Sequence, residues 1–134
     1  MTEPASARQQ RVKQMAELAE QRQQDESAQA QVLIDEFVRQ AEALGLAPVD
    51  LKATVGGRLV RTDVRGWYLR RDHTIAIGTD GGYYRLGLPG GWAARWRGVH
   101  PTPSPPPLVV GRGGKDGESG DLKDFLARAL ADEV

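Results

Sequence analysis

The chain has 134 residues, 40% of them hydrophobic, and its 18 Lys and Arg balance its 18 Asp and Glu to a formal charge of zero. That length fits one domain, or one small domain with appended segments, and no apolar run approaches the roughly 20 residues that cross a bilayer. With no cysteine in the chain, disulfides, thiolate metal sites and a Cys nucleophile are excluded.

Residues 5–44 hold no Pro and no Gly and are rich in Ala, Gln, Glu and Arg, all good helix formers. Val12, Met15, Ala19, Ala30, Leu33, Phe37, Ala41 and Leu44 recur at helical spacings. The stripe is interrupted in its middle by Arg22, Gln23 and Glu26. Its later part predicts an amphipathic helix over about 28–44. Gly45 suits the left-handed position after the helix, Leu46 the hydrophobic contact beyond it, and Pro48 forbids continuation. Residues 1–27 form a polar arm or extension. Within it, 5–27 either continues the helix or frays into solvent. Residues 28–134 form the single domain.

Val49–Val55 alternates with period two and reads as a half-buried strand. Gly56-Gly57 supplies the positive φ angles of a tight hairpin, and Arg58–Thr62 returns. Gly66 opens a further run: strands at 67–71, 74–78 and 83–88, with turns at Asp72-His73 and at Thr79-Asp80-Gly81-Gly82. Such short connections require antiparallel neighbours, hence a β-meander. Trp92–Trp96 suits one or two helical turns. PTPSPPP, residues 101–107, reads as an extended strap. Leu108–Val110 is a short strand, and 111–120 a Gly-rich loop. Asp121 is placed to cap a final helix with Leu122, Phe125, Leu126, Ala129 and Leu130 on its apolar face. The fold class is therefore α+β: a long N-terminal helix, an antiparallel β-meander sheet and a C-terminal helix.

Alternation places Trp67, Leu69, Ile75, Ile77, Tyr84, Leu86 and Leu88 on one face of the meander, where the helices would cover them. Tyr68, Arg70, Thr74, Ala76, Tyr83 and Arg85 fall on the other. Tyr68, Arg70, Tyr83 and Arg85 form the candidate binding face. Tyr rings stack bases and Arg meets phosphates, so nucleic acid is one partner class, and an acidic protein segment is another. The alternative is an ordinary solvated sheet surface. At the Gly-rich loop, Gly113, Gly114 and Lys115 are candidate anion donors, since loop N–H groups at a helix start attract anions. The P-loop and dinucleotide spacings both fail there, and a flexible connector is the plainer reading.

His73 and His100 have no ligand or nucleophile at motif spacing, and Asp72 and Asp80 sit where turns use Asp. No catalytic residues, metal site or cofactor are expected. The zero charge conceals segregation. Residues 1–55 carry a net of −3, residues 56–100 a net of +5 and residues 101–134 a net of −2. Arg makes up 14 of the 18 basic residues, which fits a GC-rich genome as well as a binding surface.

The run GGRLVRTDVRGWYLRRDHTIAIGTDGGYYRL, followed by PPPLVVGRGGKDGES, resembles a small protein family of high-GC actinobacteria with no assigned activity. The resemblance covers about Gly56 to Ser119. It implies a cytoplasmic bacterial protein and nothing about catalytic residues; the polar N-terminal MTEPASARQQRVKQ, without the apolar core of a secretory signal, also fits the cytoplasm. The expected function is non-enzymatic: an interaction module that binds a protein partner or its own copy through the N-terminal helix or the Tyr/Arg face. Nucleic-acid binding on that face and small-ligand or anion binding at 111–121 are the alternatives.

Overall fold

A computed structural model of the chain describes residues 4–89, 98–111 and 118–134. The polar arm and the amphipathic segment form one uninterrupted helix, α1 (Ala5–Ala43), about 58 Å long at 1.5 Å per residue. It ends as its sequence predicts. Gly45 takes φ +70°, Gly45 N–H donates to Glu42 O at 3.1 Å and Leu46 N–H to Ala41 O at 2.9 Å. These are the two bonds of a Schellman cap.

The sheet comprises β1 (Val49–Val55), β2 (Arg58–Tyr68), β3 (Ile75–Gly78), β4 (Tyr83–Arg85) and β5 (Gly87–Leu88), in the order β4-β3-β2-β1-β5. All pairings are antiparallel except β1 with β5, which is parallel. Gly56 and Gly57, at φ +57° and +81°, make the β1–β2 hairpin turn. Beyond it, β2 runs straight through the predicted break at 63–66. The register jumps from Lys52 opposite Arg61 to Asp50 opposite Arg65, so β2 carries extra residues there. Thr62 satisfies the bulge: its hydroxyl donates to Leu51 O at 2.6 Å and accepts from Val64 N–H at 3.2 Å. Bulges bend and twist a strand, and this one turns the sheet on itself.

The predicted strand 83–88 is split at Leu86, whose N–H donates to Thr74 O and whose carbonyl accepts from Thr54 N–H, both at 2.7 Å. One short segment thus touches both ends of the sheet and closes it. The closed interior holds Leu51, Ala53, Val55, Val60, Ala76, Tyr84 and Leu86. A second core lies outside the sheet, where Trp67, Leu69, Ile75, Ile77 and Tyr83 meet Ala30, Ile34, Phe37 and Ala41 of α1. Phe37 meets the Trp67 ring edge-on, 5.5 Å between centroids, and Trp67 Nε1 donates to Leu46 O at 3.0 Å.

Ser104 N–H donates to Tyr83 O at 2.8 Å, so the Pro-rich strap runs along the β4 edge. β6 (Val109–Val110) pairs with β7 (Gly120–Asp121), which leads directly into α2 (Leu122–Leu130). Leu122, Phe125, Leu126 and Ala129 are buried as expected. Asp121 stands at the N-cap position without a capping side-chain bond. The expected Trp92–Trp96 turn lies outside the described residues. No helix among the described residues is long and apolar enough to cross a membrane.

Candidate functional site

The face expected to carry Tyr68, Arg70, Tyr83 and Arg85 does not exist as one surface. Residues opposite one another in a ladder share a face, and β3–β4 pairs Ile77 with Tyr83, Ala76 with Tyr84 and Ile75 with Arg85. The connection between Ile77 and Tyr83 has an odd number of residues, five, which exchanges the expected positions of the two tyrosines. A shift of one residue moves every side chain of a strand to the other side. Tyr83 therefore faces the helices and is buried, and Tyr84 fills the closed interior. The trough over Thr74 and Ala76 is absent because Ala76 is itself interior.

Three of the four residues do meet. Arg70, Tyr83 and Arg85 line a cleft of about 740 Å³ between the sheet end, Gln23 and Glu26 of α1, and the strap at Ser104. Arg70 is held from three sides. Its Nη2 donates to Thr74 Oγ1 at 2.6 Å, its Nη1 to Glu118 O at 3.1 Å, and its Nε lies 3.5 Å from Asp72 Oδ1. Thr74 completes the relay, donating its hydroxyl to Asp72 Oδ1 at 2.7 Å and its N–H at 3.0 Å. Burial alone would raise the Asp72 pKa, but the Thr74 bonds and the Arg70 charge together bring it below the ordinary value. Burial raises that of Tyr83. The cluster ties the C-terminal hairpin to the β2–β3 turn, with Arg71 Nε 4.0 Å from Glu118 Oε1 and Arg128 Nη1 3.1 Å from Oε2. With Arg70 committed to these partners, and Asp72 and Glu26 on the same walls, the cleft holds balanced charge.

Tyr68 points elsewhere. Its hydroxyl accepts from Lys52 N–H at 2.9 Å, and its ring stacks on His73, 4.0 Å between centroids at 10°. His73 is a turn residue at φ +61°. His100 Nδ1 lies 2.9 Å from Asp63 Oδ2 on the surface. No group of three His, Asp or Glu side chains among the described residues is placed to hold a metal ion. Gly113, Gly114 and Lys115 lie outside the described residues.

The most exposed element is the first half of α1. From Ala5 to Asp25 every residue is exposed except the half-buried Ala7, and the first buried residue is Ala30. Yet Val12, Met15, Ala16 and Ala19 continue, at spacings of three and four, the face that carries Ala30, Ile34, Phe37 and Ala41 into the core. Val12 is 68% exposed and Met15 70%. Leu18, 56% exposed, stands beside Met15 and off that stripe, which is why stripe-counting passes over it. The chain matches no known protein family, no curated protein and no solved structure.

Proposed function

We propose that this chain is a non-enzymatic interaction module whose working part is the projecting first half of α1. One observation carries the reading: the apolar stripe that packs the helix onto the body continues past it exposed, with no described residue outside the helix packed on it. A helix polar all round would need no cover, whereas an amphipathic one without cover is a common recognition element. The charge balance in the Arg70 cleft, and the burial of Tyr83, favour a structural role for that cluster over a stacking or phosphate-binding one.

The absence of native cysteine gives a clean test. A nitroxide on Ala19→Cys is expected to tumble freely in the dilute chain and to become immobilised when the chain is concentrated or placed in bacterial extract. A spectrum that stays mobile in all three conditions would contradict the reading.

A further inference from the structure

We infer that the arm of α1 pairs antiparallel with the same arm of a second copy, about a two-fold axis level with Glu17. This rests on the arm being the interaction element and names its partner. Three features bear in turn on its direction, its register and its extent.

The first is charge. Residues 8–13 carry Arg8, Arg11 and Lys13, a net of +3, whereas residues 17–26 carry Glu17, Glu20, Asp25 and Glu26 against Arg22, a net of −3. Parallel pairing stacks like blocks on each other. In the register centred on Glu17, residues 8–13 lie level with 21–26, where Asp25 and Glu26 stand against Arg22, a net of −1, so opposite signs face one another twice by symmetry.

The second is the apolar pattern. With Val12 and Ala19 at a positions and Met15 at d, the register centred on Glu17 sets Met15 against Ala19 of the second copy. In antiparallel pairs the e positions meet one another, as do the g positions, so Ala16 meets Ala16 and Leu18 meets Leu18. Leu18, off the stripe that faces the body, thereby gains a partner. Arg11 comes beside Asp25 of the second copy. Arg22 falls opposite Val12, where its alkyl stem covers apolar surface and its head reaches water.

The third is length. In this register residue 5 comes level with residue 29 of the second copy, one short of Ala30, the first buried residue of the helix. The exposed stretch 5–25 carries the pairing up to its last turn, which abuts the body where Glu26 accepts from Leu108 N–H at 3.4 Å.

Disulfide trapping in the full chain reads both partner and direction. Gln9 and Gln23, both exposed, fall at e positions that meet across the antiparallel pair. A mixture of Gln9→Cys and Gln23→Cys chains, mildly oxidised, is expected to give the mixed disulfide in preference to either homodimer. Leu18→Asp, added to both chains, is expected to weaken association at least about tenfold, because the residue is used twice. The expected pairing also weakens with salt, since Arg8, Arg11 and Asp25 are solvent-exposed. Homodisulfides at residue 9 or 23 in preference to the mixed product would overturn the antiparallel register and leave the arm as an interface. A chain that stays monomeric overturns the second-copy partner. The Ala19 nitroxide then separates the cases: immobilised in extract, the arm serves another protein; mobile there too, the interaction reading falls with it.

Discussion

A side chain at Gly66 is excluded by contact and not by backbone angle: an added Cβ would lie 1.9 Å from Ile77 O on the neighbouring strand. Gly66→Ala is expected to cost about 3 kcal/mol or more, since the obstacle is backbone that cannot rotate away, read as a lowered denaturation midpoint with unchanged slope. The sequence marks Gly66 as special but misplaces it at a strand start, because a close approach between strands leaves no local signature. Tyr84 is the second such position. Burial first, and then its 2.6 Å bond to Asp80 Oδ2, push its pKa from 10 up to about 12. The folded phenol holds its proton more tightly than the unfolded one, so the stabilisation is complete below pH 10 and lost as pH rises through about 12. Tyrosinate absorbance is expected to show Tyr84, and Tyr83 whose pKa burial also raises, ionising late in the folded chain; a Tyr84 ionising near 10 in the folded chain would contradict this. Lys52 stands directly opposite Arg61, both exposed, a like-charge cross-strand pair. Lys52→Glu is expected to stabilise the sheet by about 0.5 kcal/mol, as a small rise in denaturation midpoint; no change or a loss would place the cost elsewhere.

At the scale of elements, α1 is one helix doing two jobs, and substitutions along one stripe separate them. Phe37→Ala removes a buried ring at the Trp67 contact and is expected to cost about 3–5 kcal/mol of stability. Met15→Ala, on the same stripe but 70% exposed, is expected to change the dilute chain's stability by less than about 0.5 kcal/mol. Thermal unfolding of the two variants at low concentration checks the contrast. The helix, its glycine stop, the first hairpin and the terminal helix were legible because each is written in local periodicity or turn chemistry. The faces of β4 were not. Which tyrosine points inward depends on whether the connection from Ile77 to Tyr83 holds an odd or even number of residues, and the turn residues Thr79–Gly82 are compatible with either. Closure of the sheet was equally hidden, since it depends on the Thr62 bulge and on Leu86 bridging Thr74 and Thr54.

For the whole molecule, the described residues show the segregated charge meeting at two points. Arg65 reaches Asp50 at 3.2 Å and Arg71 reaches Glu118 at 4.0 Å, joining the basic middle to both acidic ends. Both contacts are largely exposed and contribute little stability. The exposed charges of the arm, Arg8, Lys13, Glu17, Glu20 and Asp25 among them, lie along a helix that extends beyond the core. Of the candidate site, the sequence held the stripe through Val12, Met15 and Ala19, but not that the body would stop short of it. That depends on where the closed sheet and α2 end against α1, a property of the assembled fold. Sedimentation equilibrium of the unaltered chain across a wide concentration range at low salt tests the central claim most directly. The expected mass rises from 14.6 kDa toward twice that value as concentration increases. A mass that stays at that of one chain throughout would contradict pairing through the arm.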